Sequence, residues 1–428
     1  MRVIVLSAIS IILTTWASAR TWTYSECVEY ARVHNITLQK ALLAEQTSEY
    51  NLEEAQAQWQ PTLDFATTQG YTNSPWGQIK NSYNSSYGLN AGWTVWNGGK
   101  RENTIKQQKL QTSIDKLNTN DIMRTLETDL LQVYINILYA KESIGIYEDA
   151  VELSKAQEQR GLQFMNSGKM SKVDYQRLKS QYEQDKYALV NAQATYDQRR
   201  LELKKLLELG LEEEIDLENV EWTAAQVLAA LPSITESYES AQQTDLQIQQ
   251  LDLQKQSSDL DVAIAKAGHM PNISLNAGVG TGYQAPGASF GTAMKQGFNE
   301  NIGLSLSVPI FDQKKTKTAV ARAKVAQEEA DLSIEQRRLE LAQLVENWYI
   351  ETQNAQARYK AAESQLESAK LTDELTNEQF SIGYVNTIEL MSAHNSYIEA
   401  QHNILQYKYM AMLGQKMIEY YRTATVTL

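Results

Sequence analysis

The 428-residue sequence carries 52 acidic against 39 basic residues, a formal charge of −13, with 20 glycines, 23 tyrosines and only 6 prolines. So few breakers point to long uninterrupted helices rather than to the string of ordinary globular domains that the length alone would suggest. A single cysteine, Cys27, excludes an intrachain disulfide and any Cys-cluster metal site, and the acidic balance excludes a nucleic-acid binder, whose phosphate affinity needs clustered Lys and Arg.

Residues 1–19 read as a signal peptide: Arg2 is a short positive region, Val3 to Leu13 a mostly apolar one, and Ala17-Ser18-Ala19 a cleavage signal. The chain that begins at Arg20 then holds 38 basic against 52 acidic residues, net −14. No later segment approaches twenty consecutive apolar residues, so insertion in a membrane as a helix is not expected. Cys27 lies seven residues past Arg20, away from the position a lipoprotein would lipidate, and reads as a small core residue.

From Arg20 onward the chain is two copies of one plan. Ala31 stands thirty residues before Pro61 and Ala241 thirty before Pro271, while Gly88 to Gly168 and Gly303 to Gly383 both span eighty; the offset is 210 before the strands and 215 after them. In chain order the pattern predicts helices over 20–60, a β-hairpin over 61–98, a long helical hairpin over 99–208 and a linker over 209–235. A helix over 236–270, a second β-hairpin over 271–312 and a second helical hairpin over 313–428 follow. The linker, with Gly210, the run Glu212 to Glu214 and Pro232, is expected to be irregular or to hold a short helix.

Fourteen of the twenty glycines fall within 61–99 or 268–312, which locates the strands. There Leu63, Phe65 and Thr67, then Tyr87, Leu89, Ala91, Trp93 and Val95, alternate with polar or small residues. Ile273, Leu275, Ala277 and Val279, then Ile302, Leu304, Leu306 and Val308, do the same. Period two over about ten residues is a strand with one apolar and one polar face. A soluble sheet on a core would show the same period. Strand length, a polar face of Asn, Ser and Gly, and Trp59, Trp93, Trp96 and Phe311 near the strand ends, like an interfacial girdle, favour a lipid-facing wall. The expected surface loops are Thr72–Ser82 and Gln284–Gly297.

Residues 100–160 contain only Gly145 as a breaker, and about sixty residues make a helical rod of roughly 90 Å. Leu126, Val133, Ala140 and Tyr147 form a heptad stripe, with Leu130, Ile137, Ile144 and Val151 four residues on. Adding 215 gives Leu341, Trp348, Ala355 and Ala362, and Val345, Thr352, Tyr359 and Leu366, so both copies carry one coiled-coil seam.

Catalytic constellations are weak. His34, His269, His394 and His402 lack a metal-ligand spacing, and Gly278-x-Gly280-x-Gly282 lies inside a strand rather than before a helix. No cofactor, metal or enzymatic role is expected. The strongest functional signal is a matched pair of turns: Gly168-Lys169-Met170 with Asp174 six residues after its glycine, and Gly383-Tyr384-Val385 with Glu389 likewise. Each glycine stands where a left-handed helix end is expected, and each acid where a carboxylate complements the dipole of the returning helix. The same spacing at the same end of both hairpins also raises the reading that both acids face one space.

On these residues the sequence resembles the TolC-like outer membrane efflux protein family, the outer membrane factors. The resemblance covers the duplicated plan, the Pro61 and Pro271 strand openings, the Trp96-Asn97-Gly98-Gly99 and Phe311-Asp312-Gln313-Lys314 strand exits, and the two Gly-x5-acid turns. It implies an α+β membrane protein: a homotrimer whose chains each give four transmembrane strands to a shared β-barrel, continued by a long α-helical coiled-coil barrel in the periplasm. It also implies a periplasmic adaptor and an inner-membrane pump, proton-driven or ATP-driven, as partners. Gly168, Lys169, Met170, Gly383, Tyr384 and Val385 match turns that adaptors grip, and Asp174 and Glu389 match the constriction. Many relatives carry a second acid three residues after Glu389, where this chain has Ser392. A secreted coiled-coil structural or adhesion protein is the alternative from a different class.

Overall fold

A computed structural model describes residues 21–284 and 289–428; the expected signal peptide and Pro286 lie outside the described residues. The chain divides into two compact units, one of residues up to 39, 123–244 and 341–428, the other of residues 40–122 and 245–340. The strands are β1 (Thr21–Trp22), β2 (Thr62–Asn73), β3 (Asn81–Trp96), β4 (Asp216–Leu217), β5 (Asn272–Gln284) and β6 (Asn299–Ser307). The helices are α1 (Tyr24–His34), α2 (Ile36–Ala57), α3 (Lys100–Asn166), α4 (Lys172–Leu207), α5 (Ala224–Val227), α6 (Ile234–Thr244), α7 (Leu246–Lys266), α8 (Phe290–Gln296), α9 (Lys315–Ser381) and α10 (Thr387–Thr423). None among the described residues is long and apolar enough to cross a membrane.

In the second unit β2, β3, β5 and β6 form one antiparallel sheet in that order. Residues paired across strands share a face, so the register turns the sequence alternation into rows. Leu63, Ala91, Ala277 and Ile302 make one apolar row, and Trp93, Leu275 and Leu304 the next. The opposite face carries Asp64, Asn90, Gly278 and Asn301, then Thr62, Gly92, Asn276 and Gly303. Glu300, paired with Val279, departs from the apolar face near its loop end. Among the described residues β2 and β6 each pair on one side only.

Alternation places Val95 beside Trp93, and here the structure differs. The register shifts between Thr94 and Trp96, so Val95 is the extra residue of a bulge and Trp96 instead pairs with Ile273 in the row that ends at Leu306. A residue absent from the sequence pattern holds this bulge. Arg101, 2% exposed in the first turn of α3, donates from Nη1 to the carbonyls of Thr94 (2.6 Å) and Gln58 (3.2 Å) and from Nη2 to that of Val95 (3.3 Å). Its guanidinium lies 3.4 Å from the Trp59 ring centroid, and Trp93 Nε1 donates to the Trp59 carbonyl (2.9 Å), so one cation holds Trp59 directly and Trp93 through it. Phe311 stands apart, largely exposed after β6. The second expected loop is not plain loop, since it contains α8.

The first unit is held by the heptad seam. Leu126, Leu130, Ile137 and Ala140 on α3, and Leu341, Val345, Thr352, Ala355 and Ala362 on α9, are all buried. Leu131, Tyr134, Ile135 and Leu138 are buried too, so α3 buries a face wider than a two-position seam. Fully burying each such leucine contributes about 1.5–3 kcal/mol. Cys27 is fully buried in this core, and burial, with Glu26 adding to it, pushes its thiol up to about 12, which makes it inert. The linker holds more than a short helix: β4 pairs in parallel with β1, and the Tyr134 hydroxyl donates to the carbonyls of Trp22 (3.2 Å) and Glu218 (3.0 Å) beside them.

The two strand exits share one backbone despite different residues. Gly98 and Gly99 take φ of 71° and 80°, and 215 residues on Gln313 and Lys314 take 55° and 67°. Asn97 Oδ1 accepts from the backbone N–H of Arg101 (3.1 Å), as Asp312 Oδ2 does from that of Thr316 (2.8 Å). Left-handed backbone strains a side-chain-bearing residue by roughly 1–2 kcal/mol, against roughly 0.5–1 kcal/mol of chain entropy added by glycine. Gln313→Gly is therefore expected to raise stability by about 0.5–1 kcal/mol in detergent unfolding. Gly98→Ala should lower it, because an added Cβ there also runs into Met270. A lowered midpoint for Gln313→Gly would contradict the strain assignment.

Candidate functional site: the paired helical turns

Both turns lie in the first unit and are built alike. Gly168 and Gly383 have φ of 74° and 82°. Lys169 N donates to Phe164 O (2.8 Å) and Gly168 N to Met165 O (3.1 Å); Tyr384 N donates to Gln379 O (2.9 Å) and Gly383 N to Phe380 O (3.0 Å). This pair of bonds is the Schellman closure that left-handed glycine permits. Each returning helix is then capped from three residues before its acid: Ser171 accepts from Asp174 N (3.1 Å), and Asn386 accepts from Ile388 N (2.9 Å) and Glu389 N (3.0 Å). The spacings Ser171-x-x-Asp174 and Asn386-x-x-Glu389 are those of a capping box, a signal that could have located these caps from the sequence.

The six turn residues divide by exposure. Gly168, Lys169, Gly383 and Tyr384 are exposed, whereas Met170 and Val385 pack against a buried cluster of Leu178, Phe380 and Leu390. Ile382, Tyr384 and Ile388 leave the second turn with more exposed apolar surface than the first, which shows Val173 and two lysines, Lys169 and Lys172.

The acids occupy matched backbone positions in different surroundings. Asp174 accepts from Ser171 Oγ (2.7 Å), from Thr387 Oγ1 on α10 (3.0 Å) and from Arg177 Nη1 (3.0 Å). The hydrogen bonds from Ser171 and Thr387, chiefly, hold its carboxyl below the usual carboxylate range. Thr387, which ties one turn to the other, was not singled out in the sequence. Glu389 is exposed and lines a groove between α9 and α10, with Gln365, Ser368, Thr372, Ser392 and Ser396.

Above the turns the four helices meet through polar groups. Gln157 Nε2 donates to Asn377 Oδ1 (2.7 Å), and Gln181 Nε2 to Asp185 Oδ1 (2.9 Å) and Asn395 Oδ1 (3.1 Å). His394, 1% exposed, has Nε2 3.2 Å from Asp185 Oδ2. No local spacing announces this partner, which lies 209 residues away on α4. Burial holds Asp373 above the usual carboxylate range, against the opposing field of His394. No three His, Cys, Asp or Glu side chains among the described residues are grouped to hold a metal ion.

A carboxyl whose folded pKa is depressed contributes stability above its unfolded value of about 3.9 and loses it as pH falls through the folded value. Asp174→Asn is therefore expected to speed amide exchange around Ser171 and Thr387 at neutral pH. Wild type and variant should converge in acid, below the depressed value. Equal protection at neutral pH would show that the charge contributes nothing to joining the turns.

The family described as outer membrane efflux protein matches residues 28–208 and 237–412. No curated protein matches the chain. The fold is that of CusC, at 16% identity over 93% of this chain and 91% of that one, TM-score 0.80. It is also that of VceC of Vibrio cholerae, at 14% identity, 93% and 96% coverage and TM-score 0.76, and of the CmeC outer membrane channel of Campylobacter jejuni, at 16%, 98% and 91%, TM-score 0.74. With more than half its length matched in two blocks, the chain belongs to the outer membrane efflux protein family.

Proposed function

We propose that this protein is a passive outer-membrane exit duct of a tripartite efflux or type I secretion system. It works as a homotrimer whose chains repeat one plan twice, and it receives substrates from an inner-membrane pump through a periplasmic adaptor. The observation that carries the reading is the sheet. Its rows give one face of Leu, Ile, Val, Ala and Trp and one of Asn, Thr and Gly, while β2 and β6 keep an unpaired edge among the described residues. Lipid cannot hydrogen-bond an open edge, so four strands become a membrane wall only by joining strands of other copies. The long helices then stand in the periplasm, and the protein supplies a path while its partners supply the energy.

The test is in the apolar row. Leu304, 71% exposed and paired with Leu275, faces lipid on this reading. Leu304→Arg should lose about 2–4 kcal/mol of barrel stability and lower the yield of trimer in outer membranes. An undiminished yield would remove the strand from the lipid face.

The turns are the proposed docking end: exposed Lys169 and Tyr384, beside Gly168 and Gly383, meet the adaptor, with Met170 and Val385 supporting them from inside. Asp174 and Glu389 ring the periplasmic mouth, three copies of each. Glu389, whose carboxylate has no hydrogen-bond or ion-pair partner among the described residues, is the pore-lining member, and Asp174 is the structural one. Converging carboxylates attract cations, and salt screens them. In planar bilayers Glu389→Gln should reduce cation preference and block by divalent cations more than Asp174→Asn does. Identical selectivity in wild type and both variants would leave only the capping role.

A further inference from the structure

At its loop end the sheet carries α8 on its apolar face. The rows beyond Val279 hold Tyr87 and Thr281, then Ser85 and Tyr283. Thr281 Oγ1 donates to the Met294 carbonyl, the Phe290 ring meets that of Tyr283 with centroids 5.4 Å apart, and Tyr83 meets Tyr283 from β3 at 6.2 Å. Thr281 and Tyr283 point to the same side of β5 as Val279, so α8 lies on the side that carries the leucines. A Cβ on Gly297 would lie 2.9 Å from the Gly282 carbonyl, which puts the end of the helix close against β5. Gly291, Thr292, Lys295 and Gln296 are exposed, and Phe290 and Phe298 remain 52% and 54% exposed beside them.

The position along the sheet sets the depth. Ten residues separate Ile273, in the row of Trp96, from Tyr283. They make about 33 Å of strand and, at a tilt of about 45°, about 24 Å of height, against an apolar band about 25 Å tall in outer-membrane barrels. Trp93 and Trp96 then mark one edge of the band and α8 the other, on the outside of the wall. α8 cannot sit deeper, because β5 runs four residues past its last pairing with β6 and a seven-residue helix leaves most of its own end groups without partners, both of which need polar surroundings. Charge agrees with that depth. The chain from Arg20 carries −14, yet Lys80 and Lys295 are the only charged residues in 72–82 and 289–298, and neither has an ion-pair partner among the described residues. The first acid after Lys295 is Glu300, which belongs to the deeper row of Val279. We propose that α8 is a docking platform for the outer lipid surface: Phe290 and Phe298 enter the upper acyl region, and Lys295 pairs with the phosphate of a phosphorylated lipid headgroup. The inference rests on the outer-membrane reading and deepens it by naming what meets the outer rim of the wall. The short helix would then anchor the rim by one charge and two rings, where an ordinary surface loop would stand in water.

Spin labels on the full chain, in nanodiscs of phosphatidylcholine with lipid A, test it at Thr292→Cys and, separately, at Leu304→Cys; Cys27 is buried and takes no label of its own. The expected result is a Leu304 position relaxed by oxygen and shielded from a water-soluble nickel chelate, and a Thr292 position at headgroup depth, partly shielded from the chelate. A shielded Leu304 position with a Thr292 position as open to the chelate as one at Gln78→Cys in the first hairpin loop overturns the platform and leaves the wall standing. A Leu304 position open to the chelate overturns both. Native mass spectrometry after dilution into phosphatidylcholine then reads the phosphate contact. Lys295→Gln should retain about fivefold less lipid A than wild type, the factor one lysine contributes at an anionic lipid surface. Equal retention in wild type and variant overturns the pairing of Lys295 with phosphate.

Discussion

A strand satisfies its backbone only on the sides where it has a neighbour, and among the described residues β2 and β6 each have one. That constraint arranges what surrounds it. With pairing fixed as β2-β3-β5-β6, rows cross up to four strands, and the side-chain period of two gives one face a mostly apolar and the other a mostly polar chemistry. Small residues keep the polar face shallow: a Cβ on Gly282 would lie 2.9 Å from the Ser85 carbonyl, and one on Gly278 would meet Asn301. The strand exits must then turn straight into helices, which is where the left-handed pairs Gly98-Gly99 and Gln313-Lys314 and the buried Arg101 are found. The helices follow from an edge problem that the sheet cannot solve by itself.

What the sequence made legible is what repeats. Alternation placed the strands, and heptads placed the seam from Leu126 to Ala140 and from Leu341 to Ala362, because periodicity averages over many residues. The bulge at Val95 was hidden because one inserted residue is invisible to a period until its partner strand is known. The β1–β4 pair was hidden because two residues have no period at all. Gln313 and Lys314 disguised a left-handed turn that glycine announces in the other half. At the turns, Gly168, Gly383 and the positions of both acids were readable from local rules of helix ends. The bonds Asp174 makes to Thr387, and Asp185 to His394, join residues more than two hundred positions apart, and no local rule reaches them.

The two turns show how little backbone geometry fixes chemistry. Both close with the same pair of hydrogen bonds, both cap the returning helix three residues before an acid, and both put that acid where the helix dipole favours it. Yet Asp174 is engaged on several sides and the Glu389 carboxylate has no partner among the described residues, because α10 lies against α4 while Glu389 lines a groove between α9 and α10. Duplication supplies equivalent scaffolds, and divergence at the second level of contact separates a structural acid from one available to other molecules.

Packing along the first unit changes character along the helices, from an apolar core to a polar layer, with a small apolar cluster of Leu178, Phe380 and Leu390 at the turns themselves. Around Leu130, Leu131, Ile137 and Leu138 the interface is fully buried hydrocarbon, and prising it apart exposes all of that area to water at about 25 cal/mol per Å². Nearer the turns the same helices meet through Gln157, Gln181, Asp185, Asp373 and His394, buried groups that water would solvate on separation. A hydrogen bond between such groups nets only about 0.5–1.5 kcal/mol, since its partners regain bonds to water when parted. The polar layer is therefore better at fixing which residues face each other than at holding them together, and cohesion beside the turns comes from the apolar cluster of Leu178, Phe380 and Leu390.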